Sequence, residues 1–77
     1  MRAKFRLSEV LRLPGSERLK FSAVGKNGGY PTDGTDEDNT YAKFTPMGEL
    51  SMTVNNPALL GTFNPGDVFY LEFTPAK

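Results

Sequence analysis

The sequence predicts an all-β domain, a small five-stranded antiparallel barrel or curled sheet with one short helical turn between the last two strands. Three observations carry this. Apolar and polar residues alternate with period two in several short runs. Each run is bounded by Gly, Pro, Asn or Asp. The phase of alternation breaks inside the first run, as it does where a bulge bends a strand around the corner of a small barrel.

Ala3, Phe5 and Leu7 alternate with Lys4, Arg6 and Ser8, and the phase breaks at Glu9-Val10 while Leu11 and Leu13 keep the odd phase. Pro14-Gly15-Ser16 is a turn, and Glu17 to Val24 returns with Leu19, Phe21 and Ala23 inside and Arg18, Lys20 and Ser22 outside. The two runs read as a hairpin. Gly25 to Asn39 is a glycine-rich, acidic loop of about 15 residues, longer than most connections, and is expected to be functional or mobile. Thr40 to Thr45 is the predicted third strand, with Ala42 and Phe44 against Tyr41 and Lys43. After Pro46-Met47-Gly48, Glu49 to Asn55 is the most regular run, with Leu50, Met52 and Val54 on one side. Asn56 to Gly61 reads as the helical turn, with Asn56 as N-cap, Pro57 at the first helical position and Gly61 ending it. Asn64-Pro65-Gly66-Asp67 is a tight turn, and the chain closes on a strand in which Phe69, Leu71 and Phe73 oppose Tyr70, Glu72 and Thr74. Phe5, Phe21, Phe44, Met52, Phe69, Leu71 and Phe73 are the expected core.

The 77 residues hold one domain, 1–77, with no room for a second core. A domain of this size buries only about 60% of the surface its unfolded chain exposes, so an oligomer is expected to add burial. There is no Cys and no His. That removes disulfides, thiolate nucleophiles, zinc–thiolate sites, the commonest general base and the commonest metal ligand. No apolar run approaches the roughly 20 residues of a membrane span, and no basic-then-apolar leader is present, so a soluble protein without a membrane partner is expected. Net charge is zero but unevenly spread: residues 1–26 carry +5 and residues 27–77 carry −5. Such a chain forms a dipolar surface, or pairs its halves within or between subunits.

Two patches are candidate sites. Lys4, Arg6, Arg18 and Lys20 point outward from adjacent strands, where they can track phosphates, and Tyr41 or Tyr70 can offer a stacking face. The same cations also serve a solvated face that discourages edge-to-edge pairing. Asp33, Asp36, Glu37 and Asp38 form an acidic loop that suits a basic partner surface. Its spacing does not match the EF-hand pattern, and a solvated loop is the simpler reading. Gly25-Lys26-Asn27-Gly28-Gly29 matches no phosphate-loop spacing and opens no helix. No Ser-x-x-Lys pattern occurs, and carboxylates in a mobile loop are poorly placed for pKa tuning. No catalytic residue, metal site or cofactor is expected.

Asp36-Glu37-Asp38-Asn39-Thr40-Tyr41-Ala42-Lys43-Phe44-Thr45-Pro46, then Gly48-Glu49-Leu50-Ser51-Met52-Thr53-Val54-Asn55-Asn56-Pro57, and finally Phe69-Tyr70-Leu71-Glu72-Phe73-Thr74-Pro75 carry a resemblance. Across residues 3–75 the chain resembles a family of small uncharacterised β-rich proteins of tailed bacteriophages. The resemblance implies a viral protein in the host bacterial cytoplasm or in the virion, and transfers no site residue. The expected function is that of a non-enzymatic phage-type accessory binding protein. It would act as a host-takeover or defence inhibitor, binding a host protein or sequestering a nucleotide. The alternatives are an OB-like single-stranded nucleic-acid-binding module and a virion decoration protein. A nucleotide sponge needs a basic pocket, a strand binder needs a continuous basic stripe, and a decoration protein needs a flat apolar or acidic patch.

Overall fold

A computed structural model describes residues 1–76. Four strands form one antiparallel sheet: β1 (Arg2–Leu13), β2 (Ser16–Ala23), β3 (Glu49–Val54) and β4 (Val68–Glu72), in the order β3-β2-β1-β4. β1 and β2 are the hairpin that alternation predicts, closed by Pro14-Gly15 with Gly15 at φ 75°. A side chain rarely adopts that left-handed conformation, so glycine fits there. β3 and β4 are the two edges and do not pair with each other, so the sheet is open and the expected barrel does not close. The molecule is correspondingly flat, 48 × 33 × 16 Å.

The expected third strand and the helical turn are not formed. Around Thr40–Thr45 the chain folds back on its own loop: the Phe44 amide donates to Gly34 O (2.8 Å), and Thr35 and Lys43 meet in an isolated bridge. Phe44 has φ 59°, which no strand residue adopts, and its ring lies directly over Gly34, where any Cβ would collide with it. Residues 56–62 form two successive turns in place of a helix. Asn56 does cap the first, accepting the Ala58 amide on its side chain (3.1 Å), while its carbonyl accepts the Leu59 amide (2.9 Å). Leu59 O then takes the Thr62 amide (3.2 Å), and Gly61, at φ 81°, redirects the chain.

The bulge is real and sits at Ser8. Leu7 opposes Phe21 and Glu9 opposes Lys20, leaving Ser8 as the extra residue, its hydroxyl donating to Lys20 O (2.9 Å). Because side chains alternate with period two, one extra residue moves everything beyond it to the other face. Val10 therefore packs on the core side opposite Leu19, and Leu11 and Leu13, which keep the odd phase in the sequence, turn outward opposite Arg18 and Ser16.

The sheet has one buried and one open face. On the buried face Ala3, Phe5, Leu7, Leu19, Phe21 and Val54 form the core, with Phe69 and Leu71 packed against it. Tyr41 covers one end, and Leu60 and Phe63 from the β3–β4 connection cover the other. The Phe69 ring meets Phe21 edge-on at 5.9 Å and Phe63 at 6.0 Å. Three residues expected in the core lie outside it. Phe44 sits on Gly34 among loop residues, Phe73 follows the last strand with half its surface exposed, and Met52 lies on edge strand β3, 42% exposed.

Candidate functional site

Strand register decides which charges share the open face. Arg6 lies opposite Ser22, Lys20 opposite Glu9 and Ser51, and Arg18 opposite Leu11 and Thr53. The structure thus brings Arg6, Arg18 and Lys20 onto one exposed surface, as the alternation predicts. Among the described residues none of the three forms a salt bridge. Glu9 and Glu49 share this face, without a salt bridge of their own. A cleft of about 370 Å³ opens here, lined by Glu9, Val10, Leu11, Arg18, Leu19, Lys20 and Ser51. It sets the exposed Leu11 side chain beside Arg18, Lys20, Ser51 and the Glu9 carboxylate, and neither cation has a salt-bridge partner among the described residues.

Lys4 and Tyr70 lie opposite each other on that same face, both held by Asp38, and Tyr41 lies on the core side. Lys4 is buried, its ammonium 3.4 Å from Asp38, which also accepts the Tyr70 hydroxyl at 3.1 Å. The Tyr70 ring remains exposed and carries the Arg2 guanidinium over its face at 5.1 Å, while Arg2 pairs with Glu72 at 2.6 Å. Tyr41 faces the core side beside Phe5 and Gly48, with its hydroxyl buried and without a hydrogen-bond partner. Burial first, then the negative charge of Asp36, raises its pKa.

The acidic loop is docked on the sheet, not free. Asn39 is fully buried and stands in the ladder where β2 ends. Its carboxamide oxygen accepts the Lys4 amide (2.8 Å), and its nitrogen donates to Val24 O (2.7 Å) and to Asp36 Oδ2 (3.1 Å). That side chain stands in for a peptide group between the two strands. Thr40 extends the pairing, its amide donating to Arg2 O (3.0 Å) and its hydroxyl oxygen accepting the Arg2 amide (2.8 Å).

Asp36, read from the sequence as partner-facing, is instead buried. Its two oxygens accept from the Asn39 side chain and from the amides of Asp38, Asn39 and Lys26. Burial works to raise its pKa, but these four hydrogen bonds, led by the Asn39 side chain, outweigh it and hold the carboxyl below the ordinary carboxylate range. Asp38 is committed to Lys4 and Tyr70, and exposed Glu37 pairs with Lys26 at 3.0 Å. Asp33 stays on the surface, accepting the Thr35 amide at 3.0 Å. Hydrogen bonds from Thr35, hydroxyl first, lower its pKa.

A second buried acid escaped the sequence reading. Glu17 is 3% exposed; it pairs with Arg12 at 2.8 Å and accepts the Gly61 amide at 3.2 Å, while Arg12 also donates to Phe63 O at 2.9 Å. This network ties the β3–β4 connection to the hairpin. Alternation already placed Glu17 in phase with Leu19 and Phe21, and that phase was the available signal.

No family model, curated protein or solved structure matches the chain.

Proposed function

We propose that this chain is a non-enzymatic binding protein whose open sheet face takes a phosphorylated nucleotide in the cleft beside Arg18 and Lys20. One observation carries the reading: two cations with no ion-pair partner among the described residues border a cleft of about 370 Å³ that also carries the exposed Leu11 side chain and the Glu9 carboxylate. Its size falls in the ordinary range for small-ligand sites. Guanidinium and ammonium groups suit phosphate oxygens, and the leucine surface suits a base. The acidic loop supports a protein partner less well, because Asp36, Glu37 and Asp38 are engaged within the chain. In the phage setting that the sequence resembles, such a protein would act as an accessory factor that sequesters a host signalling nucleotide.

The test is a titration with labelled mononucleotides, cyclic nucleotides and single-stranded oligonucleotides at two salt concentrations. A nucleotide held in the cleft should bind with shallow salt dependence. Replacing Arg6, Arg18 and Lys20 together by Gln should abolish binding and leave the fold intact, since exposed charges contribute at most about 1 kcal/mol. Tighter binding to oligonucleotides that falls steeply with salt would transfer the function to single-stranded nucleic acid. No binding of either class at low salt would overturn the reading.

A further inference from the structure

The molecule is too open for its mass. A folded monomer of 8.5 kDa is expected to expose roughly 4,700 Å², yet this chain exposes 5383 Å². The excess, about 700 Å², is close to the roughly 800 Å² that each partner contributes to a standard interface. The radius of gyration says the same: it is 14.4 Å, where a compact chain of this length should have about 11.5 Å. The surplus comes from a single sheet with two open edges and an incompletely covered face.

Neither edge strand carries Pro, Lys or Arg or breaks register, and the edges differ in how their side chains are held. β4 begins directly after the Asn64-Pro65-Gly66-Asp67 turn, and its Glu72 pairs with Arg2 while its Tyr70 is held by Asp38. β3 carries no Pro, Lys or Arg, shows no register break against β2, and borders partly exposed Leu50 and Met52 on the core face. Pro, Lys and register breaks are among the features by which sheets block edge pairing; β3 has none of these, and its one charged residue, Glu49, lies at its end. Its backbone is also presented for pairing. The Ala23 amide donates to Gly48 O at 3.0 Å, so Ala23 and Gly48 form a hydrogen-bonded pair. Antiparallel pairs alternate, so Leu50, Met52 and Val54 turn their peptide groups toward β2. Glu49, Ser51 and Thr53 turn theirs to the open edge.

We propose that β3 pairs antiparallel with β3 of a second copy of this chain, about a two-fold axis normal to the sheet near Ser51 and Met52. The result is one continuous eight-stranded sheet. Opposed residues in such a pair share a face, so Leu50 and Met52 of one copy meet apolar residues of the other, and Ser51 and Thr53 meet polar ones. Glu49 lies at the end of the strand, away from the axis and from its own copy. A two-fold contact closes on itself and leaves no β3 edge for further growth. Because the axis is normal to the sheet, both cationic surfaces fall on the same side, with the two β2 strands about 14 Å apart. The inference does not depend on what the cleft binds.

The experiment is sedimentation equilibrium of the intact chain over a micromolar concentration series, with far-UV circular dichroism as the control for folding. The wild type should sediment at twice the 8.5 kDa chain mass. Ser51→Pro removes only an amide that faces the open edge, so it should yield a folded monomer. Ser51→Lys, which sets like charges beside the axis, should do the same. Val68→Pro, the equivalent change at the start of β4, should leave the dimer intact. A wild type that stays monomeric throughout overturns the proposal. So does a dimer that survives both Ser51 variants, one that Val68→Pro dissociates, or a series of ever larger species.

Discussion

Asn39 shows how one side chain can hold a long loop in place. Its amide bridges the Lys4 amide and the Val24 carbonyl, and it also anchors Asp36, all without contact to solvent. Asn39→Ala leaves three buried polar groups short of a partner, at about 1–3 kcal/mol for each one that water cannot reach. A loss of about 2–4 kcal/mol in chemical denaturation is the expected outcome, with the larger changes in amide exchange at Lys4, whose amide loses its acceptor, and in residues 24–42. Asp36 makes the same region pH-sensitive. Its folded pKa lies below its unfolded value, so its stabilisation is fully present above the ordinary carboxylate range and drains away as pH falls through the lowered folded pKa. Thermal melts of the wild type should therefore fall with acid below about pH 4. The Asp36→Asn protein should be less stable at neutral pH and show a flatter acid limb.

At the scale of the element, the bulge at Ser8 decides which leucines matter. It puts Val10 on the core side and leaves Leu11 about half exposed. Val10→Lys should cost about 1–3 kcal/mol, the worth of a buried valine, while Leu11→Lys should change stability by less than about 0.5 kcal/mol. Urea midpoints of the two variants check this, and the opposite ranking would mean the strand carries no bulge. The broken alternation announced a bulge in the sequence, but not which side the later residues would take, because that depends on where β2 accepts the extra residue. β1 to β4 were legible because period-two alternation between turn residues is a local signal. The predicted strand at 40–45 rested on only two inward residues. The left-handed Phe44 over Gly34 prevents it, and that contact between residues ten apart leaves no mark in an alternation pattern.

For the whole molecule, a core of six buried apolar residues leaves little reserve. Total stability for a chain of this length is about 4–12 kcal/mol, and Phe21→Ala should remove about 3–5 of it. Phe21 lies between Phe69 and the β3 side of the sheet, so its loss opens the centre. A melting temperature lowered by more than about 10 °C, or no cooperative transition at all, is expected. The candidate surface was partly legible too. Arg6, Arg18 and Lys20 alternate outward as read. Lys4 alternates outward equally well, and its burial against Asp38 depends on a contact 34 residues away that no local pattern encodes. The closed barrel failed for a related reason: closing the sheet required a fifth strand, and the residues that would have formed it are spent on the loop.

The sheet order also sets an itinerary for folding. β1 meets β2 across a two-residue turn but meets β4 across nearly the whole chain, with Arg2 opposite Glu72. Loop closure over that distance is slow compared with a local hairpin, which forms in about 1–10 microseconds. β4 should thus be the last strand to arrive and the first to leave. When it leaves, the Leu7 amide loses its partner at Asp67, while the Lys4 amide keeps Asn39. A single strand then carries two kinds of residue in alternation, half reporting a local fraying event and half reporting the unfolding of the entire domain.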